Sequence, residues 1–328
     1  MTVVDKSAQL TRKDRGRHAD RLFWAVCVFA GLAVLIILAL ILVTTVNEAF
    51  PAFSADFFTS TDWIPNDPDG DGPRGPVYGT LAFLYGTLVV SAIAVVVAVP
   101  VSIGIALFLT ELAPPKLRAT IVTLIDMLAA VPSVVFGLWG ILVLAPAIAP
   151  VYQGIHDVVG GVPVLGSLFG EPRSSGRTFM TAGLILAVMI IPIITSISRE
   201  VFATVPDSDK QAAWALGATR WEMIKGAVLP HSFGGVVGAV ILGLGRAMGE
   251  TIAVALVIGS SVQITANLFE SGYALPAIIV DQWGESTGDF RAALIGMGVV
   301  LFIITVLINL LARVVVRRAE IRMKGASA

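Results

Sequence analysis

Six apolar stretches, 22–46, 81–110, 119–144, 179–197, 234–260 and 292–316, leave this chain few ways to fold. Each is long enough to cross the hydrocarbon core of a bilayer as a helix, which takes about 20 residues. Inside lipid there is no water to satisfy backbone N–H and C=O groups, so a spanning segment must bond internally, as a helix does. Composition agrees: 56% of the residues are hydrophobic and 14% are charged, whereas soluble domains carry about 25% charged residues. The expected fold class is an all-α membrane protein with six transmembrane helices.

The polar segments give the spans a side. Residues 1–21 form a basic tail with Lys6, Arg12, Lys13, Arg15, Arg17 and Arg21. The run that follows is too long for a signal peptide and lacks a small-residue cleavage site, so it reads as a retained first span. Two more basic residues lie in the link between the second and third stretches. Four lie in or beside 206–230, and five, from Arg313 to Lys324, lie at the C-terminal end. The opposite loops hold only Arg74, Arg173, Arg177 and Arg291. By the positive-inside rule both tails (1–21 and 317–328) and the segment 206–230 are expected in the cytoplasm of a bacterial plasma membrane. The loop 47–79, with Asp67, Asp69 and Asp71, reads as a turn-rich solvated loop, since DPDGDG lacks the closing Glu of a calcium loop. Pro100, Pro132 and Pro192 fall within spans as kinks or flex points.

Several function classes drop out. Cys27 is the only cysteine, so no internal disulfide can form. His18, His156 and His231 are far apart, and no metal site is expected. There is no GxxxxGK[ST], so no P-loop for ATP. A net charge of −1 gives no reason to expect nucleic-acid binding.

The segment 206–230, PDSDKQAAWALGATRWEMIKGAVLP, is a polar island between two apolar stretches. Ser208 and Gln211 are spaced as a capping box. A short helix to about Leu216, a left-handed turn at Gly217 and a second helix over 219–227 are expected. Trp214, Leu216, Trp221, Met223 and Ile224 give the island an apolar side.

Gln211, Ala212, Ala213, then Gly217, then Leu229 and Pro230 resemble the EAA loop of ABC importer permeases, with Gln211 in place of the Glu and Ala227 in place of an Ile. GLGRAMGET, 243–251, is similar to a segment of phosphate importer permeases, and LAAVPSVVFG, 128–137, resembles their third span. The chain is thus identified as a member of that family, most like the PstC-type of its two related permease subunits. The resemblance implies the type I ABC importer permease fold over 22–316. It implies that Gln211, Ala212, Ala213, Gly217, Leu229 and Pro230 couple to a cytoplasmic ATPase. The implied partners are a PstA-type second permease, a PstB-type ATPase dimer that binds the ATP, and a PstS-type extracytoplasmic phosphate-binding protein.

Apart from any resemblance, Arg246 and Glu250 stand within the fifth apolar stretch. A mid-membrane charge costs at least about 2.5–3.5 kcal/mol. At i and i+4 the two are expected on one helix face, either neutralising each other or offering Arg246 to a passing phosphate with Glu250 as its resting partner. Thr251 and Ser133 are candidate hydroxyl donors on the same path. Gly234 with Gly238, and Gly245 with Gly249, are spaced for close helix packing. Six spans make half a channel, so a second permease is needed to close it.

The resulting expectation is a transport subunit, without chemistry or cofactor of its own, for inorganic phosphate. A permease for phosphonate or sulfate is the alternative within the class. A secondary anion transporter is the alternative outside it, though such a protein has no use for an EAA-type loop. An intramembrane enzyme is excluded by the lack of a nucleophile–base pair at membrane depth.

Overall fold

A computed structural model describes residues 16–65 and 76–325; most of the basic N-terminal tail and the acidic motif 67–71 lie outside them. The chain forms two compact units, 1–48 and 49–328. The first contains nearly all of helix α1 (Gly16–Ala49), in which no residue from Asp20 to Glu48 is buried. Such an apolar helix, uncovered on every side, has the surface that lipid tails solvate.

Among its described residues the second unit is mostly helical, with a short hairpin pairing Trp63 with Tyr78 and Ile64 with Val77 and an isolated bridge between Gly259 and Gly272. Its principal helices are α2 (Leu81–Leu107), α3 (Pro115–Ala129), α4 (Ser133–Trp139), α5 (Ala145–Val159) and α6 (Phe179–Ala203). There follow α7 (Asp207–Ala215), α8 (Arg220–Met223), α9 (Leu229–Met248), α10 (Ile252–Val257), α11 (Leu275–Gln282) and α12 (Gly288–Gly325). Among the described residues six helical runs are long and apolar enough to cross a membrane: Asp20–Ala52, Leu81–Leu112, Ser133–Val159, Phe179–Ala203, Arg220–Met248 and Gly288–Val314.

Two of the expected spans are corrected. The stretch 119–144 is not one helix. It divides at 130–132, because Pro132 has no N–H to donate and turns Val131 away from helical geometry. The helix that restarts at Ser133 continues to Val159, into what the sequence presents as loop. The stretch 234–260 also divides, at 249–251, and its first half begins earlier, inside the island. The C-terminal tail 317–328 is not set off from the last span either, since α12 continues to Gly325.

Prolines leave a second mark. Three π-helical turns, Phe108–Leu112, Gly140–Leu144 and Ile224–Val228, each end two residues before a proline: Pro114, Pro146 and Pro230. In each case the residue before the proline donates its N–H five residues back: Ala113 to Phe108, Ala145 to Gly140, Leu229 to Ile224. A proline ring collides with the carbonyl four residues back, and widening the preceding turn relieves that collision without breaking the helix. This is how Pro146 and Pro230 sit inside continuous helical rods.

The main core is built on α2 and α6, with Phe83, Phe179, Ile185, Leu186, Ile190 and Ile194 among its buried residues. A smaller core of Ala106, Phe202, Val205, Met223, Ile224, Val228 and Val236 lies under the island.

Candidate functional site

Helix α9 organises the site because it has two small-residue faces. One consists of Gly235, Ala239, Gly243 and Ala247, and it packs inward. A Cβ on Gly235 would lie 2.5 Å from Val201, and one on Gly243 would lie 2.7 Å from Ile194, both on α6. The other carries Gly234, Gly238, Gly245 and Gly249 and lines an open groove of about 1140 Å³. A Cβ at Gly238 or Gly245 would meet nothing within 4 Å. The close-packing pattern is therefore the 235–247 series, and the glycine pairs expected to pack instead leave backbone bare to the groove.

Polar groups in the groove are Arg246, Glu250, Asn309 and Arg313; Ile193, Ile241 and Leu242 supply apolar wall. Arg246 occupies the last turn of α9 and is exposed. There its charge faces the partial negative end of the helix, which offsets part of the cost of placing it in a spanning segment. Gly249 then ends the helix, and Glu250 lies in the break rather than on the Arg246 face. Its carboxylate accepts from the Ala253 N–H at 3.4 Å, at the start of α10. The break thus gives each charge its own helix end, a cation at a C-terminus and an anion at an N-terminus. Among the described residues the ion pairs are Arg173–Glu270, Arg199–Glu200 and Lys210–Glu111; Arg246 and Glu250, the pair suggested by their spacing, do not form one.

Ser133 and Thr251 are not among the residues lining the groove. Thr251 donates its hydroxyl to Gly249 O at 3.2 Å, a bond within the break. Ser133 opens α4, which packs on α10 so closely that a Cβ on Gly137 would fall 2.7 Å from Leu256. Asn309 and Arg313 went unread in the sequence. Arg313 counted there only as one of the C-terminal basic residues, and nothing in linear order relates α12 to α9.

The other end of α9 is the island. Helix α7 starts at Asp207 after Pro206, so Ser208 lies inside its first turn and donates to Asp209 Oδ1 at 3.3 Å. The expected capping box at Ser208 is absent. It occurs instead at Thr219, where Thr219 N–H donates to Glu222 Oε2 at 2.7 Å and Glu222 N–H to Thr219 Oγ1 at 3.4 Å. Gly217 is left-handed, with φ +81°. Its N–H donates to Trp214 O and the Ala218 N–H to Ala213 O, the bonding of a Schellman turn. The second helix does not stop before Leu229; it runs through the π turn into α9, so Arg220–Met248 is one rod.

The island is held from beneath. Lys210 Nζ donates to Glu111 Oε1 at 2.7 Å, and Met223 and Ile224 are buried with Phe202 and Val205. Ala213 and Leu229 lean on the same cluster. Gln211, Ala212, Gly217 and Pro230 stay exposed. So do three large apolar side chains beside the turn: Trp214 (49%), Leu216 (90%) and Trp221 (63%). The single apolar side expected of the island is therefore two, one packed inward and one uncovered.

Residues 98–324 match the family described as binding-protein-dependent transport system inner membrane component. A phosphate transport system permease protein PstC of Xylella fastidiosa is 42% identical over 309 residues, covering 93% of this chain and 92% of its own length. That of Mesorhizobium japonicum is 40% identical over 98% of this chain and 99% of its own. A PstC 2 of Mycobacterium tuberculosis is 40% identical over 91% and 92%. Among solved structures, a chain of a bacterial ABC transporter for the acidic polysaccharide alginate superposes with a TM-score of 0.56 at 15% identity, covering 92% of this chain and 96% of its own. A chain of the MetNI methionine ABC transporter, inward facing, gives 0.52 at 17%, covering 72% and 94%. The shared feature at those identities is the fold: an all-α membrane protein of the type I ABC importer permease class.

Proposed function

The chain belongs to the family of binding-protein-dependent transport system inner membrane components, and on that premise we propose that it is the permease subunit of an ATP-driven inorganic phosphate importer. The relatives that share about two-fifths of its residues over nearly its whole length are phosphate permeases. The observation that carries the reading in this chain is one helical rod, Arg220–Met248, with an uncovered apolar turn beside one end and, in a groove at the other, a guanidinium that forms no ion pair among the described residues. A movement imposed at the turn is delivered to Arg246 with little loss, because a bonded helix is stiff along its axis.

The groove is a half-path open along one side, so a second permease subunit, of PstA type, closes it. Trp214, Leu216 and Trp221, with Gln211, Ala212, Ala213 and the Gly217 turn, dock on a PstB-type ATPase, one of a dimer that binds the ATP. Leu229 and Pro230, at the widened turn inside the rod, pass the coupling on towards Arg246. A PstS-type binding protein delivers phosphate on the opposite face. The island and both termini are cytoplasmic, and the membrane is the bacterial plasma membrane. Within the path the Arg246 fork receives phosphate oxygens. Glu250 keeps the site from becoming too attractive, since an unscreened carboxylate opposes an anion. Thr251, bonded within the break, and Ser133, at the start of the helix packed on α10, are the neutral hydroxyl donors beside the path.

The test is phosphate uptake by the assembled transporter, scaled to inserted protein. Arg246→Ala is expected to lower it about a hundredfold, the loss that follows when a charge-assisted contact is deleted. Glu250→Ala is expected to lower it about tenfold, since the Ala253 N–H at the start of α10 loses its carboxylate acceptor as well. Normal uptake by Arg246→Ala removes the path from this groove.

A further inference from the structure

Asn309 and Arg313 line the same groove as Arg246, on the facing helix α12. They stand four residues apart, hence on one face of that helix. We propose that Arg313, assisted by Asn309, is a second anion station, nearer the island than Arg246, which receives the substrate anion and sets how fast it leaves. The proposal rests on the path reading above and extends it to residues which that reading does not use.

The placement follows from the spans. The rod through α9 rises from the island, and the next span, Gly288–Val314, returns towards the side on which the island lies. Helix α12 reaches Asn309 before Arg313 as it returns, and the groove both residues line extends to Gly234, four residues past Pro230, so Arg313 is the more island-ward of the two. From Gly234 to Arg246 the α9 wall rises about 18 Å, and both ends of that wall line the groove. Arg246 lies at the far end of that wall and Arg313 comes last on the returning helix, which puts the two guanidiniums at different depths of one open cleft. Along that wall Gly238 and Gly245 leave backbone bare beside Ile241 and Leu242, and a Cβ at Gly238 meets nothing within 4 Å.

Two modest stations serve a conduit better than one strong site. A site tight enough to capture a phosphate is slow to release it, and a second cation downstream lowers the barrier between them. A neutral amide one turn deeper than Arg313 adds donors without adding charge. The competing role for an arginine at the end of a span is anchorage at the lipid surface. Anchorage needs the charge alone. It does not call for an asparagine on the same face, or for a groove opposite.

The experiment measures phosphate uptake by the reconstituted complex, per inserted transporter, across external phosphate concentrations. Arg313→Gln is expected to lower the maximal rate about tenfold while half-saturation is unchanged, since capture occurs on the opposite face. Arg313→Lys keeps the anchoring charge but loses the planar fork, and an approximately threefold loss is expected. Asn309→Ala is expected to cost about threefold as well. Wild-type rates per inserted transporter for Arg313→Lys and Asn309→Ala would overturn the proposal, including the case in which Arg313→Gln fails to insert. Arg246→Ala in parallel separates the two readings. If it transports normally the path itself is wrong, whereas if it is inactive and Arg313→Lys is normal, only the second station is lost.

Discussion

Two oppositely charged couples mark the ends of the same rod, and they behave in opposite ways. Lys210 and Glu111 are 99 residues apart, yet meet at 2.7 Å with side chains only 14% and 7% exposed. Arg246 and Glu250 are four residues apart and do not pair. Sequence spacing selects the wrong couple as the structural one. The difference lies in what else each charge has to lean on. Arg246 has the C-terminal end of α9, and Glu250 has the N–H of Ala253 at the start of α10. Lys210 and Glu111 lie at the small core under the island, and each is the other's compensation. A closed pair fixes a surface in place, while an open one leaves a cation available to a ligand.

The sharpest way to break this comparison is to open the closed pair. Lys210→Ala or Glu111→Gln leaves one buried group without its partner, and the expected cost is about 3 kcal/mol or more. Replacing both, as Lys210→Met with Glu111→Leu, is expected to recover most of it, because neither charge is then stranded. Thermal unfolding of the purified complex reads the difference. If Lys210→Ala melts with the wild type, the pair is not what holds the island.

The next effect down is at the island turn. Gly217 has φ +81°, and a Cβ added there would meet nothing within 4 Å, so Gly217→Ala tests backbone conformation without a clash. The left-handed region costs an L-residue about 1–2 kcal/mol. Gly217→Asn is expected to cost less, since Asn tolerates that region. The measurement is the ATPase rate that phosphate-loaded binding protein stimulates in the assembled complex. If Gly217→Ala couples as well as wild type, the turn geometry is dispensable.

What was legible in the residues follows the physical range of each signal. Six apolar stretches announce six crossings, because lipid imposes that need locally. Gly217 announces its turn, because a positive φ is a property of one residue. The division at Pro132 was written in the chain, but the one at 249–251 was not, since no proline marks it. The two faces of α9 were equally obscure. Glycines at 234, 235, 238, 243, 245 and 249 all suit close packing, and only the position of α6 decides which of them pack. Lys210–Glu111 and the groove face of α12 depend on contacts between distant segments, to which periodicity is blind.

A third couple sits between the extremes and gives the smallest prediction. Arg173 and Glu270 form an ion pair in the loops that follow α5 and α10, and the Glu270 carboxylate also accepts the Ser271 N–H at 3.1 Å. Partial burial pushes the Glu270 carboxyl upward, but the hydrogen bonds from Arg173 and Ser271 and the charge of Arg173 outweigh it, leaving it below its ordinary value of 4.5. A carboxyl held lower in the folded state contributes stability that is fully present above the ordinary value and is lost as pH falls through the folded one. Arg173 is 56% exposed, so solvent screens the pair and the contribution is expected to stay below about 1 kcal/mol. Proteolytic protection of the loop at residues 165–177 should therefore weaken modestly under acid in the wild type. Glu270→Gln should show the weaker protection already at neutral pH, with little further change on acidification. Equal protection of the two proteins at neutral pH would mean that this pair, unlike Lys210–Glu111, fixes nothing.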